Sequence, residues 1–455
     1  MIFHRRRAVR LIKLSAVGVV ATAVLVACSS SPGSSSSPPS SSSSAAAGTS
    51  AASAAAAASS SAPQSSSGTG ATSGSSLPKS GPGTGSGTVK IGVMCSNSGP
   101  EAEPECISTF NALAAYANSN GGINGYKIAI DNCDPGVAAL ANPSLYTQCA
   151  NKQITQDNDT VMLGLNGPLG VTTVADAHNI PIIAPIDVEP DYDTAPMSFP
   201  IYSWQAGAWS ALIKYFSTLG LKHPAYTDTQ STIGAAAKAA VQEGYGKLGI
   251  TPSSVVALLT SVTFQPQVET LQSEGVDAVY PVLADPAIVA MVQEADSIGY
   301  HPAWATDWDA YDQRVEKLLG PLGSTASLYT TAPFKTYAEA GQLEKSTVAQ
   351  YAPGQSWEFS FISILNWIGM ETLFQALEKM SGPATSAKIV TQLQTDTFTS
   401  EWLPGSFNWQ HTTGPYCQIA SNEAYVDKME NGVWTQVAGP FNAPPPAAVT
   451  GCHQS

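Results

Sequence analysis

From Thr88 the chain changes to short apolar runs alternating with longer stretches of helical periodicity, and this alternation limits the fold more than any other feature. Val89-Lys90-Ile91-Gly92-Val93-Met94 reads as a buried strand, followed by a polar turn from Ser96 to Pro100. Phe110, Leu113, Ala114 and Ala117 share one helical face. Gly121-Gly122-Ile123-Asn124-Gly125 stops that helix, because glycine readily takes the left-handed conformation a helix end requires. Lys127–Asp131 predicts a strand, Gln148–Gln156 a helix, and Thr160–Leu165 and Ile180–Pro185 two more strands. The rhythm repeats with strands at Ala225–Thr227, Ser254–Leu259, Ala278–Val282 and Pro302–Thr306. Helices are expected between them at Ala235–Leu248, Val268–Ser273 and Ala287–Ile298. Trp357–Met380 is expected to be one long helix whose apolar stripe faces a core; Trp367 belongs with that core, with the cleft as its rival setting. Strand–helix repeats give parallel sheets covered by helices. About 360 residues exceed what one core organises, so two α/β lobes are expected.

Ahead of this body stand Arg5, Arg6, Arg7, Arg10 and Lys13, then an uncharged apolar run from Leu14 to Ala27. Basic start, short apolar core and small residues before a cleavage point describe a secretion signal over residues 1–27. The 14-residue run is too short for a spanning helix, which needs roughly 20 residues. Its ending, Leu25-Val26-Ala27-Cys28, resembles a bacterial lipoprotein box, which implies that Cys28 becomes a lipid-bearing N-terminus. Residues 29–87 are almost wholly Ser, Ala, Gly, Pro and Thr, with Lys79 the only charge. Such a tract buries too little apolar surface to offset chain entropy, so 28–87 is expected to be a disordered tether reaching about 45 Å.

Charge and cysteine content exclude several functions. Removing the five basic residues of 1–27 from the chain's 20 leaves 15 against 34 acidic, a net of −19. Nucleic acid is therefore not an expected partner. Arg314 is the single arginine after residue 27, which leaves no cluster to clamp a phosphate or dicarboxylate. No HExxH, CxxC, nucleophile elbow or phosphate loop occurs, so no metal, cofactor or enzyme activity is expected. Cys95, Cys106, Cys133, Cys149, Cys417 and Cys452 form an even set suited to disulfides in an exported protein. Fifteen pairings are open. Sequence proximity favours Cys95–Cys106, Cys133–Cys149 and Cys417–Cys452.

The strand Ile91-Gly92-Val93-Met94 with its Ser98-Gly99-Pro100 turn resembles the opening of the type I periplasmic binding proteins, in the leucine/isoleucine/valine-binding branch. The 121–125 turn, Asp131-Asn132-Cys133-Asp134, the run Ile180 to Pro185, Gly275-Val276-Asp277-Ala278-Val279-Tyr280 and Gly405-Ser406-Phe407-Asn408-Trp409 extend the resemblance over roughly residues 88–440. It implies two doubly wound Rossmann-like lobes joined by three crossover strands, with a ligand cleft between them. Lobe 1 is expected from 88–203 plus 332–401, lobe 2 from 204–331 plus 402–441, and a C-terminal tail from 442–455. The crossovers are expected near 202–206, 330–333 and 401–405.

Ligands of open α/β sheets lie beyond the carboxyl ends of the strands. That places Ser98, Glu103, Asn166, Gly167, Asp187 and Glu189 at the site in lobe 1, with Gln230, Thr232, Tyr280 and Asp307 in lobe 2. Asp307 aligns with the acidic residue that pairs with a ligand ammonium group in amino-acid-binding relatives; its alternative is a helix N-cap. Tyr280 reads either as a stacking surface or as a buried strand aromatic. Amino-acid binders hold the ligand carboxylate with Ser and Thr hydroxyls, whereas here Asn166-Gly167-Pro168-Leu169 and Ile186-Asp187-Val188-Glu189 stand in those places. With Glu101, Glu103, Glu105, Asp187, Glu189, Asp191 and Asp193 near the mouth, a neutral or cationic polar ligand such as an amino acid or amide is expected. The resemblance implies a monomeric, lipid-anchored receptor at the extracytoplasmic face of the cell membrane, serving an ABC permease. The alternative is a sensor on the same fold acting through a membrane signalling partner.

Overall fold

The computed structural model describes residues 76–97, 102–136, 144–164, 170–185, 191–202, 205–230, 232–258, 261, 263–283, 285–306, 310–409, 419–421 and 423–442, without the side chains of 205–208, 232, 233 and 236. Cys28, Cys417, Cys452 and the sequence up to residue 75 lie outside them.

The first stretch runs β1 (Gly85–Ser86), β2 (Thr88–Val93), α1 (Pro104–Ser119), β3 (Lys127–Asn132), α2 (Ser144–Asn151), β4 (Val161–Leu163), α3 (Val171–His178), β5 (Ile182–Ile183), α4 (Asp191–Thr194) and β6 (Ser198–Phe199). A second stretch repeats the plan with α5 (Gln205–Thr218), β7 (Pro224–Asp228), α6 (Thr232–Gly246), β8 (Ser253–Val256), α7 (Gln265–Ser273), β9 (Ala278–Tyr280), α8 (Asp285–Ser297), β10 (Ala303–Ala305), α9 (Gln313–Leu319) and β11 (Leu328–Ala332). The chain continues through α10 (Gln342–Tyr351), α11 (Phe361–Lys379), β12 (Gly382–Pro383), α12 (Ser386–Thr395), β13 (Phe398–Thr399), β14 (Ser406–Phe407), β15 (Glu423–Glu430) and β16 (Val433–Asn442).

Two sheets result. The five-stranded sheet is parallel throughout, in the order β3-β2-β4-β5-β6. The seven-stranded sheet, β16-β15-β11-β10-β9-β7-β8, is parallel from β8 to β11 and gains β15 and β16 as antiparallel additions. Numbered by appearance, each parallel run has the order 2-1-3-4-5, one plan used twice. Val89, Ile91 and Val93, which alternate onto one face of β2, are all fully buried in the core, whereas Lys90 on the other face is exposed. Gly92 is needed there, since a Cβ would come within 2.8 Å of the Asp159 carboxylate.

Helix α11 is the spine of the first half. A Ser360–Ser363 capping box starts it, and nearly every residue from Phe361 to Leu377, Trp367 included, is buried. Gly369 brings it down onto β4 and β5, where an added Cβ would stand 3.0 Å from Leu163 and 3.3 Å from Ala184. The turn after α1 has Gly121, Gly122, Asn124 and Gly125 at positive φ, as the sequence implies.

Two boundaries depart from expectation. Residues 76–87 are part of the folded body rather than tether. Leu77 is buried, the Tyr116 hydroxyl donates to the Pro78 carbonyl at 2.9 Å, and β1 pairs with β12. Gly81 exchanges backbone bonds with Gly122 and Gly125 at 2.6 and 2.8 Å. Low complexity conceals this segment because its attachments are made by backbone. Its glycines are also required: a Cβ on Gly83 or Gly85 would collide with Asn124 or Tyr126. The third crossover also lies later than 401–405. The β13–β14 hairpin stays with the first half, where Trp409 packs edge-on against Phe199 at 5.5 Å and donates to the Pro200 carbonyl at 2.9 Å.

Several acids lie wholly or partly inside, and desolvation raises their pKa values: Glu344 and Glu371 to about 8, Asp427, Asp159 and Glu316 to about 7. A carboxyl whose folded pKa is raised binds its proton more tightly in the native state. Its stabilising effect is complete below the unfolded pKa near 4.5 and is lost as pH climbs to about 8. The melting temperature should therefore fall by at least about 5 °C from pH 5 to pH 8.5. Calorimetry checks this, and Glu371→Gln should flatten the slope.

Candidate functional site

In a doubly wound sheet the crevice opens where the strand order reverses. Here the reversals fall between β2 and β4 and between β7 and β9. At the first, the described chain past β2 is Met94 to Asn97, and past β4 it is Gly164. Ser98, Asn166 and Gly167 belong to the loops at this reversal and lie outside the described residues. At the second, the Thr227 hydroxyl accepts the Val282 backbone N–H at 2.7 Å, joining the ends of β7 and β9.

Two disulfides brace the carboxyl edge of the first sheet. Cys95 just past β2 bonds Cys106 in the first turn of α1, and Cys133 just past β3 bonds Cys149 in α2. Both pairings follow the proximity expectation. Between them Asp134 accepts from the Asn97 and Gly136 backbone N–H groups at 3.3 and 2.8 Å, and Asn132 accepts from that of Cys95 at 3.0 Å. Replacing Cys95 and Cys106 together by Ser should lower the unfolding free energy by about 2–4 kcal/mol, measured by urea titration under non-reducing conditions.

Backbone strain gathers at the same edges. Asn apart, the non-glycine residues with positive φ among the described residues are Ala184 (47°) and Gln230 (54°). Ala184 follows β5 and Gln230 follows β7. Left-handed Ala or Gln costs about 1–2 kcal/mol, and such strain concentrates at ligand clamps and switch regions. Gln230 is exposed, and its N–H donates to Asp228 at 3.0 Å. The backbone of Thr232 opens α6; its side chain is not described. Sequence patterns gave no warning of these dihedrals, because neither residue type favours them.

Glu103 is half-buried and stands at the N-cap of α1, where its N–H donates to the Ser96 carbonyl at 2.9 Å. Asp187, Glu189 and Asp307 fall outside the described residues. Tyr280 is corrected to a core aromatic in this structure. It is fully buried on β9, edge-on to Trp209, Phe216 and Tyr245, with its hydroxyl 2.8 Å from that of Tyr245. Strand alternation aims it at α5 and α6 rather than at the edge.

The acidic mouth is also smaller than its sequence suggests. Asp193 is fully buried on α4, and Glu105 is buried with burial raising its pKa to about 6 despite the nearby Arg314. Arg314 itself is engaged: Nη2 lies 3.1 Å from Glu105 Oε1 and 2.6 Å from Asp312 Oδ2. Its position was not a site expectation, although its solitary occurrence was the available signal. Because α1 begins just past β2 and Arg314 lies just past β10, this contact brings the strand-end edges of the two sheets together.

A family model for periplasmic binding proteins matches residues 88–424, and the chain belongs to that family. Solved structures agree on the fold. A substrate-binding periplasmic protein from Ralstonia solanacearum superposes with a TM-score of 0.67 at 15% identity, covering 77% of this chain and all of that one. A fatty acid ABC transporter substrate-binding protein from Thermomonospora curvata gives 0.66 at 16%, covering 80% and 95%. A leucine-binding protein from Thermotoga maritima gives 0.63 at 16%, covering 77% and 98%. These likenesses define the type I periplasmic binding protein fold. No curated protein matches the chain significantly. Among the described residues no helix is long and apolar enough to cross a membrane, and no group of His, Cys, Asp or Glu could hold a metal ion.

Proposed function

We propose that this protein is a lipid-anchored extracytoplasmic solute-binding protein that captures one small polar molecule by closure of its two halves and delivers it to an ABC importer. The observation that carries this reading is the repeated 2-1-3-4-5 strand order, whose reversal points lie on sheet edges brought together by the contact of α1 with Arg314. Family membership supports it. The basic–apolar–Cys28 opening supports the anchor. A single acyl chain binds membrane only reversibly, so the anchor would carry more than one.

The ligand class comes from this chain's own residues, since the relatives are named for ligands as different as leucine and a fatty acid. Arg314 is committed to Asp312 and Glu105, which leaves no guanidinium for an anion. Asp187, Glu189 and Asp307 would each disfavour an anionic group and attract a cationic one. In this proposal Ser98, Glu103, Asn166, Gly167, Gln230 and Thr232 line the two reversal points, and Asp307 pairs with the ligand's positive or donor-rich end.

A thermal-shift screen of residues 72–455 over amino acids, amides, polyamines and aromatic acids tests this. At least one neutral or cationic compound should raise the melting temperature, because ligand at 100 times its Kd adds about 2.7 kcal/mol. Asp307→Ala should abolish that shift and leave the unliganded melting temperature within about 2 °C. A variant that melts earlier yet keeps its ligand shift would make Asp307 a helix cap instead. For the anchor, Cys28→Ser should abolish metabolic incorporation of labelled fatty acid.

A further inference from the structure

We propose that Arg314 and Glu105 form a latch that holds the two halves closed before any ligand arrives, which rests on the reading of the cleft as a closing ligand site. The sole arginine after residue 27 spends its donors on both halves. Nε and Nη2 hold Asp312 Oδ2 at 2.9 and 2.6 Å within the second half. Across the seam Nη1 donates to the Ala102 carbonyl at 3.1 Å and Nη2 meets Glu105 at 3.1 Å.

Both partners are held in place before they meet. Asp312 is fully buried and caps α9 by accepting the Arg314 N–H at 2.6 Å, so the helix that carries the guanidinium also aims it. Glu105 stands between Pro104 at the helix start and Cys106, whose disulfide ties this turn to the end of β2. Little side-chain entropy remains to be lost on pairing, unlike in an ordinary surface ion pair. The Arg314 side chain is 31% exposed and that of Glu105 only 3%, so salt screens the pair weakly.

The latch is one end of a continuous seam. Near the crossovers, Tyr202 packs edge-on to Phe334 at 5.7 Å, and Phe334 lies 6.4 Å from Tyr311. Next, the Tyr337 hydroxyl donates to the Tyr311 carbonyl at 3.0 Å, with the two rings 4.7 Å apart. Then Gln313 N–H donates to the Phe359 carbonyl at 3.0 Å, while Gln313 Oε1 accepts the Phe359 N–H at 3.2 Å. Two charged links cross this seam among the described residues, Arg314 and the pair Lys317–Glu358 at 2.6 Å, but the Lys317 side chain is 65% exposed and so is the more readily screened. Opening the halves must break the Gln313–Phe359 bond, so the Gln313 amide reports on the latch.

Hydrogen–deuterium exchange of the full mature chain, with no ligand added, tests the proposal. Glu105→Gln is the chosen variant, because removing Arg314 would leave the buried Asp312 carboxylate without its partner. Exchange at Gln313 should speed up about tenfold or more, while amides in β2 and β9 keep their protection. Arg314→Lys should do the same, since one ammonium cannot span three acceptors set by a planar fork. Unchanged protection at Gln313, or a rise confined to residues 102–108, would overturn the latch. A matching rise in β2 and β9 would overturn it too, as it would mark a contact needed for folding. Failure of the ligand screen would leave this measurement standing.

Discussion

Every strand of a parallel run ends at the same edge of its sheet, and the rest of this molecule depends on that constraint. Parallel strands need crossover helices, and the helices bury both sheet faces. Polar function is thereby confined to the carboxyl edge. Here the constraint operates twice, with one strand order in both halves. Two disulfides and the left-handed Ala184 and Gln230 lie at these edges, whereas the faces are filled by aliphatic and aromatic side chains.

The charge distribution follows a related logic. The chain is strongly acidic, yet several of its acids are inside: Glu344, Glu371 and Asp427 are held by burial in or near the neutral form. Glu344 shows how such a group is accommodated, accepting the Trp402 indole N–H at 2.8 Å beside the Glu401 carboxylate that receives the first N–H groups of α10. The single guanidinium after residue 27 lies, among so many carboxylates, where two of them are buried together. In this fold that site is the seam between the halves.

Much of the architecture was legible because its signals are local. Periodicity marked β2, α1, β7, α8 and α11, and the glycine-rich turn after α1 was readable from composition. The attachment of residues 76–87 was not, since backbone hydrogen bonds to a distant turn leave no trace in side-chain pattern. The hairpin at Phe398–Phe407 was hidden for a similar reason: its anchor is the distant pair Phe199 and Pro200. Tyr280 illustrates the opposite failure. Its position at the end of a strand suggested the edge, but pleating decides the face, and its face is core.

By itself the sequence determined the α/β class and a single arginine after residue 27, and it favoured the two-part plan and the nearest-neighbour disulfides Cys95–Cys106 and Cys133–Cys149, since each depends on residues close in the chain or on simple counts. Only the tertiary structure decided where the strand order reverses, which acids are buried, and that Arg314 reaches Ala102 and Glu105. More than 200 residues separate Arg314 from those partners. No local pattern encodes such a meeting, because it exists only once two independently wound sheets have been brought edge to edge.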